Sequence, residues 1–179
     1  MCAFVRVQGA SRRRAWPAAM GARDAAHRLL SLVGGPMSAS LFMVSRAQLL
    51  DSGVEFDPDL PALQDLDFAF RLSAAGFAVD GPRRVLVRKH RDRRREHVFN
   101  LTNEIAARRR LLVKYDDHLS VDTDARRRHR RLLARALLRS GEQAEAAELL
   151  RANASHPESA WDDRVLSVAA RQPQCARAV

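Results

Sequence analysis

Three Asp-x-Asp strings, a pair of serines, a loop histidine and four arginine clusters are the residues whose types and spacing could support chemistry. Asp57 and Asp59, Asp65 and Asp67, and Asp122 and Asp124 each pair two carboxylates, the oxygen ligands that hard divalent cations take. Their settings differ. The first pair flanks Pro58 in a turn, the second opens a helical pattern, and the third stands where it caps the helix beginning near Ala125. Arg71 lies four residues beyond Asp67, the spacing of an ordinary helix ion pair. Cys2 and Cys175 lie near opposite ends and have neither metal-site nor redox spacing.

The chain carries a formal charge of +10, and nearly all of its cations are arginine, with lysine only at Lys89 and Lys114. The arginines gather at Arg12–Arg14, Arg88–Arg95, Arg108–Arg110 and Arg126–Arg131. Clustered cations attract phosphates, whether of nucleotides, nucleic acid or anionic lipid headgroups. Genome base composition also enriches arginine, and solvated helix faces carry it, so arginine content by itself assigns no function.

The elements that must position these residues are readable from periodicity. With 179 residues and 46% hydrophobic content, the chain has material for one domain plus a small appendage. Residues 2–7 read as a strand and 11–22 as a basic loop. Residues 23–33 have helical spacing through Ala26, Leu29, Leu30 and Val33. The apolar run at 38–45 suits a buried strand. A short helix follows at 46–51, and a clear one at 64–75, closed by Gly76. Residues 77–79 and 84–88 are strand candidates, and 96–116 read as one long amphipathic helix. Beyond residue 120 the strand pattern ends, and 125–139, 143–153 and 158–171 read as helices punctuated by Gly141 and Pro157. A soft boundary near residue 120 would thus separate a domain over 1–120 from a helical tail over 121–179. No run approaches the ~20 apolar residues needed to span a bilayer, and the N-terminus lacks a secretory h-region. The expectation is a cytoplasmic chain that can touch the inner face of a membrane.

Residues Gly34–His90 resemble the second half of family 2 glycosyltransferases of the GT-A type. The likeness rests on an ordered set of segments: GGPMSASLFMVS, then RAQLLDSG, the Phe56-Asp57 turn, QDLDFAFRL, Gly76-Phe77 and a His-bearing loop. The resemblance implies an α/β fold, a partial Rossmann-like sheet with flanking helices, followed by an all-α hairpin. It implies inverting transfer from a nucleotide sugar to a sugar or lipid-linked acceptor, with Asp65 deprotonating the acceptor hydroxyl. An acid in a first helical turn equally stabilises the helix N-terminus. By the same resemblance Ser38, Ser40 and Arg71 would line the substrate pocket, and His90, with His97 as its rival, would help hold Mn²⁺ or Mg²⁺. The donor-binding half of such an enzyme has no counterpart here, which points to truncation and an inactive isolated chain. Residues 131–159 resemble one tetratricopeptide-like hairpin, which cannot bury its apolar face alone and should pack on the long helix or on a partner. A basic nucleic-acid-binding or helical protein-interaction domain without enzymatic activity is the competing reading, although no zinc-finger spacing and no aromatic RNA-binding strand supports the nucleic-acid form.

Overall fold

A computed structural model describes residues 21–32, 39–80 and 100–154, and follows 3–8, 11–15 and 85–90 through their backbone. Backbone contacts divide the chain into two compact units, Met1–Asp59 with Gln64–Glu96, and Leu60–Leu63 with His97–Val179.

In the first unit, α1 (Ala22–Leu30) packs on α3 (Gln64–Ala74). Ala25, Leu29 and Leu30 of α1 are buried, as are Phe68, Ala69 and Leu72 of α3, which is the one-sided apolar stripe that helical periodicity produces. Phe68 anchors the packing. The ring of Phe56 stacks on it at a centroid distance of 4.2 Å, and Phe42 lies 6.0 Å away on a tilt. Between α1 and α3 runs the short α2 (Arg46–Ser52), none of whose residues is buried. Ser45 caps it by accepting the Gln48 N–H, and Gly53 ends it in the left-handed region at φ 62°.

The expected α/β fold is corrected here: every element whose side-chain packing is described is a helix, and the fold they form is all-α. No Rossmann-like layer of the GT-A type stands among them. The apolar run expected as a buried strand at 38–45 is instead a 3-10 turn over Ala39–Leu41 followed by irregular chain. The strand expected at 77–79 reduces to a bridge residue at Val79. Among the described residues, extended structure forms three short backbone segments, β1 (Ala3–Gln8), β2 (Ser11–Ala15) and β3 (Val85–His90). They pair in the order β2-β1-β3, antiparallel to β2 and parallel to β3. No described helix buries its apolar stripe against an extended layer; α1 and α3 bury theirs against each other.

The second unit is a helical bundle of α4 (Leu101–Lys114), α5 (Asp116–Val121), α6 (Thr123–Ser140) and α7 (Gln143–Ala154). The helix expected to run unbroken to Asp116 stops at Tyr115, which is buried and leaves helical geometry at ψ 26°. Asp122 starts α6 by accepting the Ala125 N–H at 2.9 Å, the cap foreseen for it. Gly141 turns the chain between α6 and α7 at φ 90°, a conformation L side chains rarely adopt. The core joins Ile105 of α4, Leu133, Leu137 and Leu138 of α6, and Ala146 and Leu150 of α7. The hairpin therefore packs on α4, as its unburied apolar face required. Buried Asn153 donates from Nδ2 to the Arg127 carbonyl at 3.1 Å and fastens the end of α7 to α6. Residue 120 lies within α5, and the helix expected at 158–171 lies outside the described residues.

Candidate functional site

Asp65 stands in the first turn of α3, half-buried, and its Oδ2 accepts the Ala39 backbone N–H at 2.9 Å. The bond draws the 3-10 turn, and with it exposed Ser40, onto the start of α3. Asp67, one of the most deeply buried polar groups, accepts from Arg71 Nε at 2.9 Å and pairs with its Nη2 at 2.7 Å. Arg71 also donates to the Glu55 carbonyl. Its guanidinium thus ties α3 to the loop that precedes it, as a structural clamp. Ser38 lies outside the described residues, and His90 ends β3, where only the backbone is followed. His97 lies outside the described residues too.

A cavity of about 190 Å³ in the first unit is bordered by Leu29, Phe42, Met43, Leu72, Phe77 and Val79, among others. No ionisable side chain is among its described lining residues, and neither Asp65 nor Arg71 reaches it. Binding pockets that do chemistry combine apolar walls with a few convergent polar groups, and this one offers only Ser45, Gln48 and Ser73. Among the described residues no three His, Cys, Asp or Glu side chains cluster as a metal site. Asp57 and Asp59 form a turn in which Asp57 Oδ1 accepts the Asp59 N–H at 3.0 Å, and Asp122 is committed to its cap. Among the described residues no set of ligands for the expected Mn²⁺ or Mg²⁺ is assembled.

Charge is concentrated instead in the second unit. α6 holds seven arginines, Arg126, Arg127, Arg128, Arg130, Arg131, Arg135 and Arg139, against one acid, Asp124. Arg126 pairs with Asp116 at 2.7 Å and Arg127 with Asp124 at 3.3 Å. Burial lowers the pKa of Arg130, and the like charge of Arg126 lowers it further. On α4 the arginines are differently employed. Arg108 pairs with Glu104 at 2.8 Å. Arg109 forks, Nε donating to Glu145 at 3.0 Å and Nη2 to Glu142 at 2.8 Å, so it clamps the α6–α7 turn and the start of α7 to α4. Those two carboxylates, Glu145 foremost, raise the Arg109 pKa. Sequence reading grouped Arg109 with its neighbours as one more cationic cluster; its acidic partners lie over thirty positions away and only the fold brings them in.

No protein-family model matches the chain, and neither a curated protein nor a solved structure matches it. With the all-α packing, this overturns the resemblance to family 2 glycosyltransferases: the segment order over 34–90 is a chance succession of turn and helix signals. The tetratricopeptide likeness is corrected on the same ground, and what stands of it is a helical hairpin. Among the described residues no helix is long and apolar enough to cross a membrane.

Proposed function

We propose that this chain is a binding module whose helical second unit engages a polyanionic partner through α6, without chemistry of its own. The observation that carries the reading is the excess on that helix of seven arginines over one aspartate. The bundle supports it by burying or half-burying every apolar residue of α6, which leaves its outward positions to arginine. The reading includes a cytoplasmic location, where nucleic acids and the inner face of a membrane both present dense phosphate. A chain of net charge +10 is also drawn to such surfaces from a distance.

Retention on a heparin matrix over a salt gradient tests it. The chain is expected to bind at low salt and to elute as counterions compete, since each neutralised phosphate or sulfate releases a condensed ion. Elution in the void volume at low salt would end the reading.

A further inference from the structure

Four of the α6 arginines, Arg128, Arg131, Arg135 and Arg139, follow one another at spacings of three, four and four residues. At 3.6 residues per turn these positions fall on one face and run for about 16 Å along the helix. That face is turned away from Leu133 and Leu137, which lie at the centre of the core. Arg135 and Arg139 are exposed, and Arg128 and Arg131 are half-buried. Arg128, Arg131 and Arg135 also interact within the chain, but a guanidinium has five donors, and one partner does not exhaust it.

Three properties of this face select among polyanions. α6 is held by α4, α5 and α7, and it carries no Asn or Gln, the side chains that read adenine edges in the major groove. Tyr115 is the single Phe, Tyr or Trp among residues 100–153, and it is buried, so the described part of this unit offers no platform for stacking the bases of a single strand. The apolar residues of α6 are held inside the bundle or at its edge and none is left to enter a lipid layer, as membrane-lying helices require. A row of guanidiniums with no aromatic neighbour and only half-buried Leu132 beside it matches a row of phosphates.

We infer that the partner of α6 is duplex nucleic acid, gripped by its phosphates through Arg128, Arg131, Arg135 and Arg139 and bound without regard to sequence. The inference rests on the polyanion reading above.

Fluorescence anisotropy of the full chain decides it, with a short labelled duplex, a scrambled duplex, a single strand of equal length, and vesicles of phosphatidylglycerol and phosphatidylcholine. Both duplexes are expected to bind equally and more tightly than the single strand or the vesicles. Four phosphate contacts give a slope of about −3.6 for log K against log salt concentration. Arg128→Gln and Arg135→Gln should each reduce the magnitude of that slope by about one, with circular dichroism showing the helix content unchanged. Arg135→Lys, which keeps the charge, should restore it. If the single strand or the vesicles bind as tightly as the duplex, or one duplex sequence is preferred, the duplex assignment fails while the polyanion reading stands. If nothing binds at low salt, both fail.

Discussion

Asp65 and Asp67 lie two positions apart on α3 and meet different groups. Asp67 is enclosed with Arg71, whereas Asp65 is half-buried and holds the Ala39 N–H. The Asp65 bond needs an acceptor oxygen and not a charge. Asp65→Ala should therefore cost about 1 kcal/mol, the usual net worth of such a bond, while Asp65→Asn, which keeps an oxygen, should recover most of it. Urea denaturation measures both; equal losses would show that the charge matters and not the acceptor. Arg109 gives a second residue-scale expectation. The Ser140 hydroxyl and Arg109 hold the Glu142 carboxyl below its ordinary value near 4.5. A carboxyl whose pKa is depressed in the folded state stabilises the fold above its unfolded pKa, and that contribution fades as pH falls through the folded value. The difference in stability between the native chain and Arg109→Gln should accordingly be present at neutral pH and shrink below about pH 4. These side chains are 40–46% exposed, so solvent screens the cluster and the difference at neutral pH should be small. A difference that stayed constant into acid would mean that Arg109 acts through its aliphatic stem.

At the scale of elements, the sequence was most legible where a cap or a glycine punctuates a helical stripe. Asp122, Gly141, Gly53 and Gly76 stand where their types demand, and α2, α3, α6 and α7 follow from them within a few residues. Two of these punctuation marks can be weighed. Asp122→Ala removes the acceptor for the Ala125 N–H and should cost about 0.5–2 kcal/mol, the range for lost N-caps. At Gly141 an added Cβ would meet nothing within 4 Å, so Gly141→Ala isolates the backbone penalty of the left-handed region, about 1–2 kcal/mol. Thermal or urea unfolding reads both; a neutral Gly141→Ala would mean that the turn relaxes to another geometry. Legibility failed where composition was apolar without a period. The run at 38–45 has the residues of a strand, yet strand identity depends on a neighbour to pair with, and here the segment is held to α3 by one bond from Ala39 to Asp65. The end of α4 at Tyr115 was hidden for a related reason. Tyr115 and Leu119 are both buried, so a break between two helices and a continuous helix leave the same apolar spacing.

At the scale of the whole molecule, sequence order suggested a fold that the packing does not have. Between residues 34 and 90 a loop, a short helix, an FD turn and an acid-opened helix succeed one another as they do in a transferase, but α1 and α3 bury their stripes against each other and need no sheet. Asp65 and Arg71 are engaged in local structure, with the Ala39 N–H and with Asp67. The arginine row on α6, discounted at first because base composition can produce it, gains meaning from the bundle that orients it. Net charge offers the last test. At +10 and a pI near 11.2, the chain repels itself, and crowding of Arg126 and Arg130 is the local form of that repulsion. Added salt screens such repulsion within a Debye length of about 10 Å at 0.1 M. The free chain should therefore unfold at higher temperature as NaCl rises from low ionic strength, before hydration effects take over. A bound polyanion supplies the same neutralisation more efficiently. It stabilises by mass action, about 2.7 kcal/mol at a hundredfold excess over its dissociation constant, and salt weakens that constant. The two melting curves, with and without duplex, should start well apart at low salt and converge as salt increases. Curves that coincide throughout would remove nucleic acid from consideration. A free chain whose melting temperature fell with salt would show that the pairs at Arg109 and Arg126 outweigh the net repulsion.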